Sequence, residues 1–226
     1  GVRTLETVMG IIENSAPTLF FYLPGNHEKN RLTASGATIP ENLKIFGESW
    51  TYYELADVTL AGCSKIDAAL PRTLTLNPER KNILVLHGEL SDKFASPDKI
   101  GARELADLPI DYVALGHYHS YSETKITERT RAVYCGTPEG RGFDECGEKG
   151  FSLITVEGNR LESEFVPFAQ RKLCEIYVDI TDSVSVNDII IAAHNYKSHF
   201  GTLNKLIIGD EVEFIDAYGK HSVFTV

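Results

Sequence analysis

Apolar positions along this chain follow two rhythms. From Val2 to Glu13, Leu5, Val8, Ile11 and Ile12 recur at helical spacing and predict an amphipathic helix. Thr18 to Leu23 (TLFFYL) is instead an unbroken apolar run, the mark of a buried strand, and it stops at Pro24-Gly25. Between Glu41 and Ala61 the pattern predicts short strands: LKIF, then WTYYEL, then DVTLAG closed by Gly62. Trp50, Tyr52 and Tyr53 alternate there as strand core and rim would. KNILVL (Lys81 to Leu86) is a further apolar strand, ending at His87-Gly88. A short helix follows over Lys99 to Asp107, stopped by Pro109, and then DYVAL (Asp111 to Leu115) ends at Gly116-His117.

A helical stretch between two buried strands predicts βαβ units and a largely parallel sheet. After His119 the rhythm changes. YSETKIT, RAVYC, FSLITV and RLESEFV read as antiparallel strands, with a turn at Glu157-Gly158-Asn159. Tyr134 to Gly150 is glycine-rich and charged, and reads as an ordered loop. A boundary falls around Pro167 to Lys172. Beyond it, a strand (Cys174 to Ile180), a helix (Val186 to Ser198) and strands near Lys205 to Ile208, Glu211 to Ile215 and Ser222 to Val226 suggest a small α+β module.

Three of the apolar strands end in polar residues beside glycine: GNHE, HGE and GHYH. In open α/β sheets, chemistry gathers at the carboxyl ends of the strands. If these strands are parallel neighbours, Asn26, His87, His117 and His119 converge at one sheet edge. His117 and His119 lie two residues apart, so in an extended segment they point the same way, and each can reach one of two nearby ions. Neutral imidazole and an amide oxygen suit Mn, Fe or Zn. A lone strand-end histidine is ordinarily a packed or solvent-facing residue. Three at equivalent strand ends displace that reading. The bland alternative for LPGNHEKN is a loop whose Asn and Glu cap a following helix.

Composition bounds the rest. The 226 residues are 42% hydrophobic and 24% charged, enough for one large domain or one domain plus a small second one. No apolar stretch approaches the roughly 20 residues that cross a bilayer, and Gly1 to Gly10 is not a signal peptide. Cys63, Cys135, Cys146 and Cys174 lie far apart with no C-x-x-C, so reduced thiols in a cytoplasmic protein are expected, with Cys135 a buried one. The formal charge of −10 speaks against a broad basic surface. It leaves a nucleic-acid substrate open, because bound divalent ions can supply positive potential.

GNHE (Gly25 to Glu28), LHGE (Leu86 to Glu89), GHYH (Gly116 to His119) and YCGTPEGRGFDECGEKGF (Tyr134 to Phe151), in this order, resemble the calcineurin-like metallophosphoesterases and, within them, the SbcD-type nuclease subunits of double-strand-break repair. The resemblance covers Val2 to about Phe168. It implies an α/β fold, a four-layer α/β/β/α sandwich over residues 1–168, with residues 169–226 part of a small α+β cap. It also implies that Asn26, His87 and His117 ligate one divalent metal and His119 a second, most often Mn²⁺, with Fe or Zn as alternatives. His27 would stabilise the scissile phosphate and protonate the leaving oxygen, and Glu28 would orient His27. DNA, an SbcC-like ATPase subunit and a second copy of the chain would be the partners.

The pattern also departs from that family. Its opening Asp-x-His and Gly-Asp motifs, which include the carboxylate that bridges the metals, do not occur upstream of Asn26. Gly209-Asp210 is out of order and receives no role. The sequence therefore reads as the later part of a longer polypeptide lacking its first strands, and poorly active by itself. A phosphatase or cyclic-nucleotide phosphodiesterase on the same site is one alternative, and a non-catalytic subunit tethering DNA or an ATPase is another. Arg141, Lys149, Tyr118 and Tyr121 are candidates to contact a nucleic-acid backbone or base, against the ordinary reading as solvated loop residues. Tyr118 and Arg141 are carried forward as substrate-binding residues. His194, His199 and His221 read as surface residues.

Overall fold

A computed structural model describes residues 2–25, 32, 36–66, 70–92, 99–179, 185, 202–209, 211–215 and 221–225. The predicted helix Val186 to Ser198, and with it His194 and His199, lies outside them. The chain divides into two compact units. The first comprises Gly1–Tyr118, Ser122–Cys135 and Ile154–Ser163; the second comprises His119–Tyr121, Gly136–Leu153 and Glu164–Val226.

The first unit opens with helix α1 (Val2–Asn14). Its buried stripe is Leu5, Met9 and Ile12, packed on Leu43, Phe20, Tyr22 and Ile45. Val8 and Ile11, expected on that face, are 41% and 61% exposed. Four apolar residues over three turns span more arc than one partner layer can cover, and the chain buries the side that includes Met9. Asn42 ties off the helix: its side-chain amide donates to the Ile12 carbonyl at 2.6 Å and to Thr18 O at 3.0 Å. Strand β1 (Phe20–Tyr22) pairs in parallel with β2 (Leu43–Ile45).

The central sheet has six strands: β3 (Thr51–Leu55), β4 (Val58–Gly62), β5 (Lys81–His87), β8 (Tyr112–Gly116), β9 (Tyr121–Lys125) and β10 (Arg131–Cys135), in the order β3-β4-β5-β8-β10-β9. Pairs β4/β5, β5/β8 and β8/β10 are parallel, and β3/β4 is antiparallel. This is the expected α/β class, built on a mixed sheet. Ile83, Leu84, Leu86, Val113 and Leu115 are buried in near-continuous apolar runs, as parallel strands covered on both faces require. RAVYC (β10) neighbours β9 across the turn at Ile126–Thr130 and runs parallel to β8, with Thr130 donating to the Ile110 carbonyl where β8 begins. One expectation fails here. The strand carrying GNHE is not a hydrogen-bonded neighbour of β5, since among the described residues β1 pairs with β2 alone.

Lys99 also departs from its expected helix. Lys99–Gly101 form β7, parallel to β6 (Glu89–Ser91), with Lys99 paired to Glu89 at 3.0 Å. Ile100 enters the core, and helix α2 (Ala102–Ala106) begins only afterwards. In β3 the expected alternation holds: Tyr53 donates to the Ile45 carbonyl at 2.8 Å, whereas Tyr52 sits at the rim.

Where the parallel strands begin, Asp111 is a hub, 5% exposed. It accepts from Lys81 (3.0 Å), from the backbone of Asn82 (2.9 Å) and from two nitrogens of Arg129 (3.1 and 2.8 Å). Burial pushes its carboxyl up, but the bonds from Arg129, Asn82 and Lys81 outweigh this and hold it below the ordinary value. A cleft of about 570 Å³ opens at this edge, lined among others by Arg80, Lys81, Asp111 and Arg129.

The hairpin β11 (Gly150–Glu157) and β12 (Arg160–Pro167) turns at Gly158, which takes the left-handed φ of +55°. In the second unit, β13 (Lys172–Asp179) pairs in parallel with β14 (Thr202–Gly209), and β15 (Glu211–Ile215) pairs antiparallel with β16 (His221–Thr225). The cysteines are free thiols. Cys63 is fully buried and Cys135 half-buried, and burial pushes the Cys135 thiol up.

Candidate functional site

At the opposite edge from Asp111, β5 and β8 end side by side, with His87 in register with Gly116. Register and strand length together deliver His87 and His117 to the same place. Their rings meet edge to face, with centroids 5.5 Å apart. Two glycines make the room. A Cβ on Gly116 would lie 2.8 Å from Nδ1 of His87, and one on Gly25 would lie 3.0 Å from its Cε1. The Pro-Gly stop after β1 therefore brings its chain end against the His87 ring, although β1 belongs to another ladder. Asn26, His27 and Glu28 follow Gly25 directly and lie outside the described residues.

His117 has φ +117°, a conformation that L side chains rarely adopt and that costs about 1–3 kcal/mol. Its surroundings hold it there. The His117 ring packs on Tyr118 at 5.0 Å, and Tyr118 meets Tyr134 edge to face at 4.9 Å. Buried Tyr134 in turn clamps the turn after His87: its hydroxyl accepts from Leu90 N at 2.7 Å and donates to Gly88 O at 2.8 Å. Tyr118 is thus a packed residue that remains 46% exposed, not a freely solvated one. Burial raises the Tyr134 phenol above its ordinary value, so it stays protonated and can donate.

His119 lies in the second unit. Its Nδ1 is 2.5 Å from Oε1 of Glu145, which the 3-10 turn Phe143–Glu145 delivers into the interior. Glu145 Oε2 accepts from the Arg141 backbone at 2.9 Å. That bond first, and the one to His119 second, hold the Glu145 carboxyl below its ordinary value. Lys149 overturns its reading as a solvated loop residue: it is 3% exposed and donates to the His119 carbonyl at 2.7 Å. Arg141 is exposed, with its guanidinium 3.5 Å from Glu145. The Tyr121 ring packs against Phe165 at 4.6 Å.

Glu145, Lys149 and Tyr134 are residues of this region to which side-chain chemistry read from sequence gives no role in holding the histidines. Glu145 and Lys149 stand in FDECGEKG, a stretch that reads as a charged loop. The signal is the Phe143-Asp144-Glu145 and Lys149-Gly150-Phe151 of the segment that follows GHYH, which the family resemblance alone singles out.

Among the described residues no three His, Cys, Asp or Glu side chains are grouped to hold an ion. The donor chemistry nonetheless suits divalent cations: His87 and His117 present adjacent imidazoles, and His119 has its Nδ1 occupied by a carboxylate, the arrangement that leaves Nε2 for a metal. No helix among the described residues is long and apolar enough to cross a membrane.

No protein-family model matches the chain. It is 29% identical over 158 residues to the DNA double-strand break repair protein Mre11 of Methanosarcina acetivorans, a match that covers 63% of this chain and 25% of that protein. With Mre11 of Methanosarcina mazei the identity is 25% over 219 residues, covering 90% of this chain and 33% of that one. With the SbcD component of the SbcCD nuclease of Escherichia coli K12 it is 43% over 56 residues, 24% of this chain and 14% of that one. The chain thus spans between 14% and 33% of the length of these relatives.

Proposed function

We propose that this chain, a relative of the Mre11 and SbcD nucleases, forms part of a cytoplasmic metal-dependent enzyme that hydrolyses phosphodiester bonds in DNA, as the nuclease subunit of a break-repair complex with an SbcC-like ATPase. The observation that carries this reading is the meeting of His87 and His117 at adjacent parallel strand ends, with Gly25 and Gly116 cleared to admit the ring. Asn26, His87 and His117 would hold one divalent cation and His119 a second, with Mn²⁺ the expected ion. Bound there, the ions supply the Lewis acidity that activates a water and neutralises phosphate oxygens.

The chain's own residues do the rest. His27, immediately after Asn26, donates a proton to the leaving oxygen as its bond to phosphorus breaks. An imidazole titrating near neutrality suits that task. Glu28 orients His27. Tyr118, partly exposed and packed on His117, offers a face to a base, and exposed Arg141 offers a guanidinium to a phosphate. Residues 169–226 would contribute part of a capping domain.

The test is Mn²⁺-dependent cleavage of double-stranded DNA by the complete polypeptide, with His27→Ala beside it. The variant is expected to lose at least about 100-fold in turnover, the scale of a general acid, while Mn²⁺ occupancy survives. Loss of turnover and occupancy together would contradict the role of His27. Cleavage of small phosphoesters with none of DNA would contradict the substrate.

A further inference from the structure

His119 is gripped twice by one loop. The chain leaves β10 through Gly136, whose φ of +73° strains any other residue and where a Cβ would lie a tight 3.1 Å from the His119 carbonyl oxygen. It then turns at Phe143–Glu145 and sends Glu145 to the imidazole and Lys149 to the peptide oxygen of the same histidine. Both anchors are more than nine-tenths buried, at 8% and 3% exposure, whereas the His119 side chain is 44% exposed.

We propose that Glu145 is a positioning residue that fixes His119 as the Nδ1–H tautomer with its Nε2 lone pair outward, while Lys149 pins the backbone on which the ring turns. The inference rests on the reading of His119 as a cation ligand. Its chemistry is one of elimination. An ionised carboxylate only accepts, so Nδ1 must carry the proton that lies between them. A neutral imidazole has one donor and one acceptor, so the remaining acceptor is Nε2. The Arg141 amide donates to the other oxygen of Glu145 at 2.9 Å and fixes the carboxylate plane against the ring. Free histidine favours the opposite tautomer, with the proton on Nε2. In that form the ring would present a proton, not a lone pair, to an incoming cation. A merely structural ion pair would instead use a doubly protonated imidazolium, which offers a cation nothing.

The experiment is long-range ¹H–¹⁵N correlation on histidine-labelled full chain at pH 8, followed by titration with Mn²⁺. The wild type is expected to show His119 as the Nδ1–H tautomer, with its Nε2 resonance broadened first by the ion. Glu145→Ala should release the ring to the Nε2–H form and weaken Mn²⁺ at this site about 10–100-fold, the scale for losing such a partner. Glu145→Gln, which keeps a neutral acceptor, should fall between. Lys149→Met should keep the tautomer and still weaken Mn²⁺, which preserves the test if Glu145→Ala does not fold. An imidazolium in the wild type, or an Nδ1–H tautomer that survives Glu145→Ala, would overturn the positioning role. A correct tautomer whose Nε2 never senses Mn²⁺ would instead overturn the ligand reading beneath it.

Discussion

The two ends of the parallel strands in the central sheet both gather polar side chains, and they use them in opposite ways. Where the parallel strands begin, Asp111 is closed off: Lys81, Arg129 and the Asn82 backbone saturate its oxygens, and Thr130 donates to the Ile110 carbonyl beside it at 2.8 Å. Where the strands end, His87 and His117 meet ring to ring, in space cleared by two glycines and on a backbone held at positive φ. Full pairing makes the first end a staple for β5, β8 and β10. Strain and clearance are what a site keeps for something that arrives later. One end stabilises the sheet and the other gives up some of that stability for geometry.

Mutations should separate the two ends. The largest stability loss is expected from Asp111→Ala, which strands Lys81 and Arg129 beside an apolar side chain. About 2–3 kcal/mol is expected, below the full figure for a buried pair because Arg129 is 41% exposed. Denaturant unfolding would read it, and activity per folded molecule should stay unchanged. Gly116→Ala should do the reverse. Its Cβ would drive into the His87 ring, costing about 1–3 kcal/mol by overpacking, while Mn²⁺ affinity falls further than stability does. If Gly116→Ala binds Mn²⁺ normally, the clearance has no functional purpose.

Tyr134→Phe is smaller, about 1–2 kcal/mol for two lost hydrogen bonds. It should loosen the Gly88–Leu90 turn and lower turnover more than Mn²⁺ binding. The acid limb gives the finest distinction. Asp111 has a folded pKa below its unfolded value. Its stabilisation is therefore complete above the ordinary carboxylate range and disappears as pH falls through the folded pKa. Below about pH 4 the wild type should lose stability with a slope of up to about 1.4 kcal/mol per pH unit from this group. Asp111→Asn should remove that share of the slope, seen as a flatter plot of unfolding free energy against pH.

The difference between the ends also marks what local pattern carries. The carboxyl ends are legible because Pro24-Gly25, His87-Gly88 and Gly116-His117 interrupt apolar runs, and interruption is a local signal. The Asp111 hub is not. Lys81, Asp111 and Arg129 are scattered through the chain and meet only after three strands have paired. Strand direction is equally hidden, since RAVYC has the same period whether parallel or antiparallel, and its place beside β8 is fixed by the returning chain. Lys149 and Glu145 look like any loop charges until a fold buries them. The extent of helix α1 is legible but its buried face is not, because Val8 and Ile11 satisfy the periodicity as well as Met9 does.

The central claim is that His87 and His117 serve one cation together. Mn²⁺ binding to the complete polypeptide, measured by calorimetry for His87→Ala, His117→Ala and the double variant, tests it most directly. Each single change should abolish the same one equivalent of bound Mn²⁺, and the double change should remove nothing more. Two single variants that each keep the wild-type stoichiometry, or a double variant whose losses simply add, would contradict it.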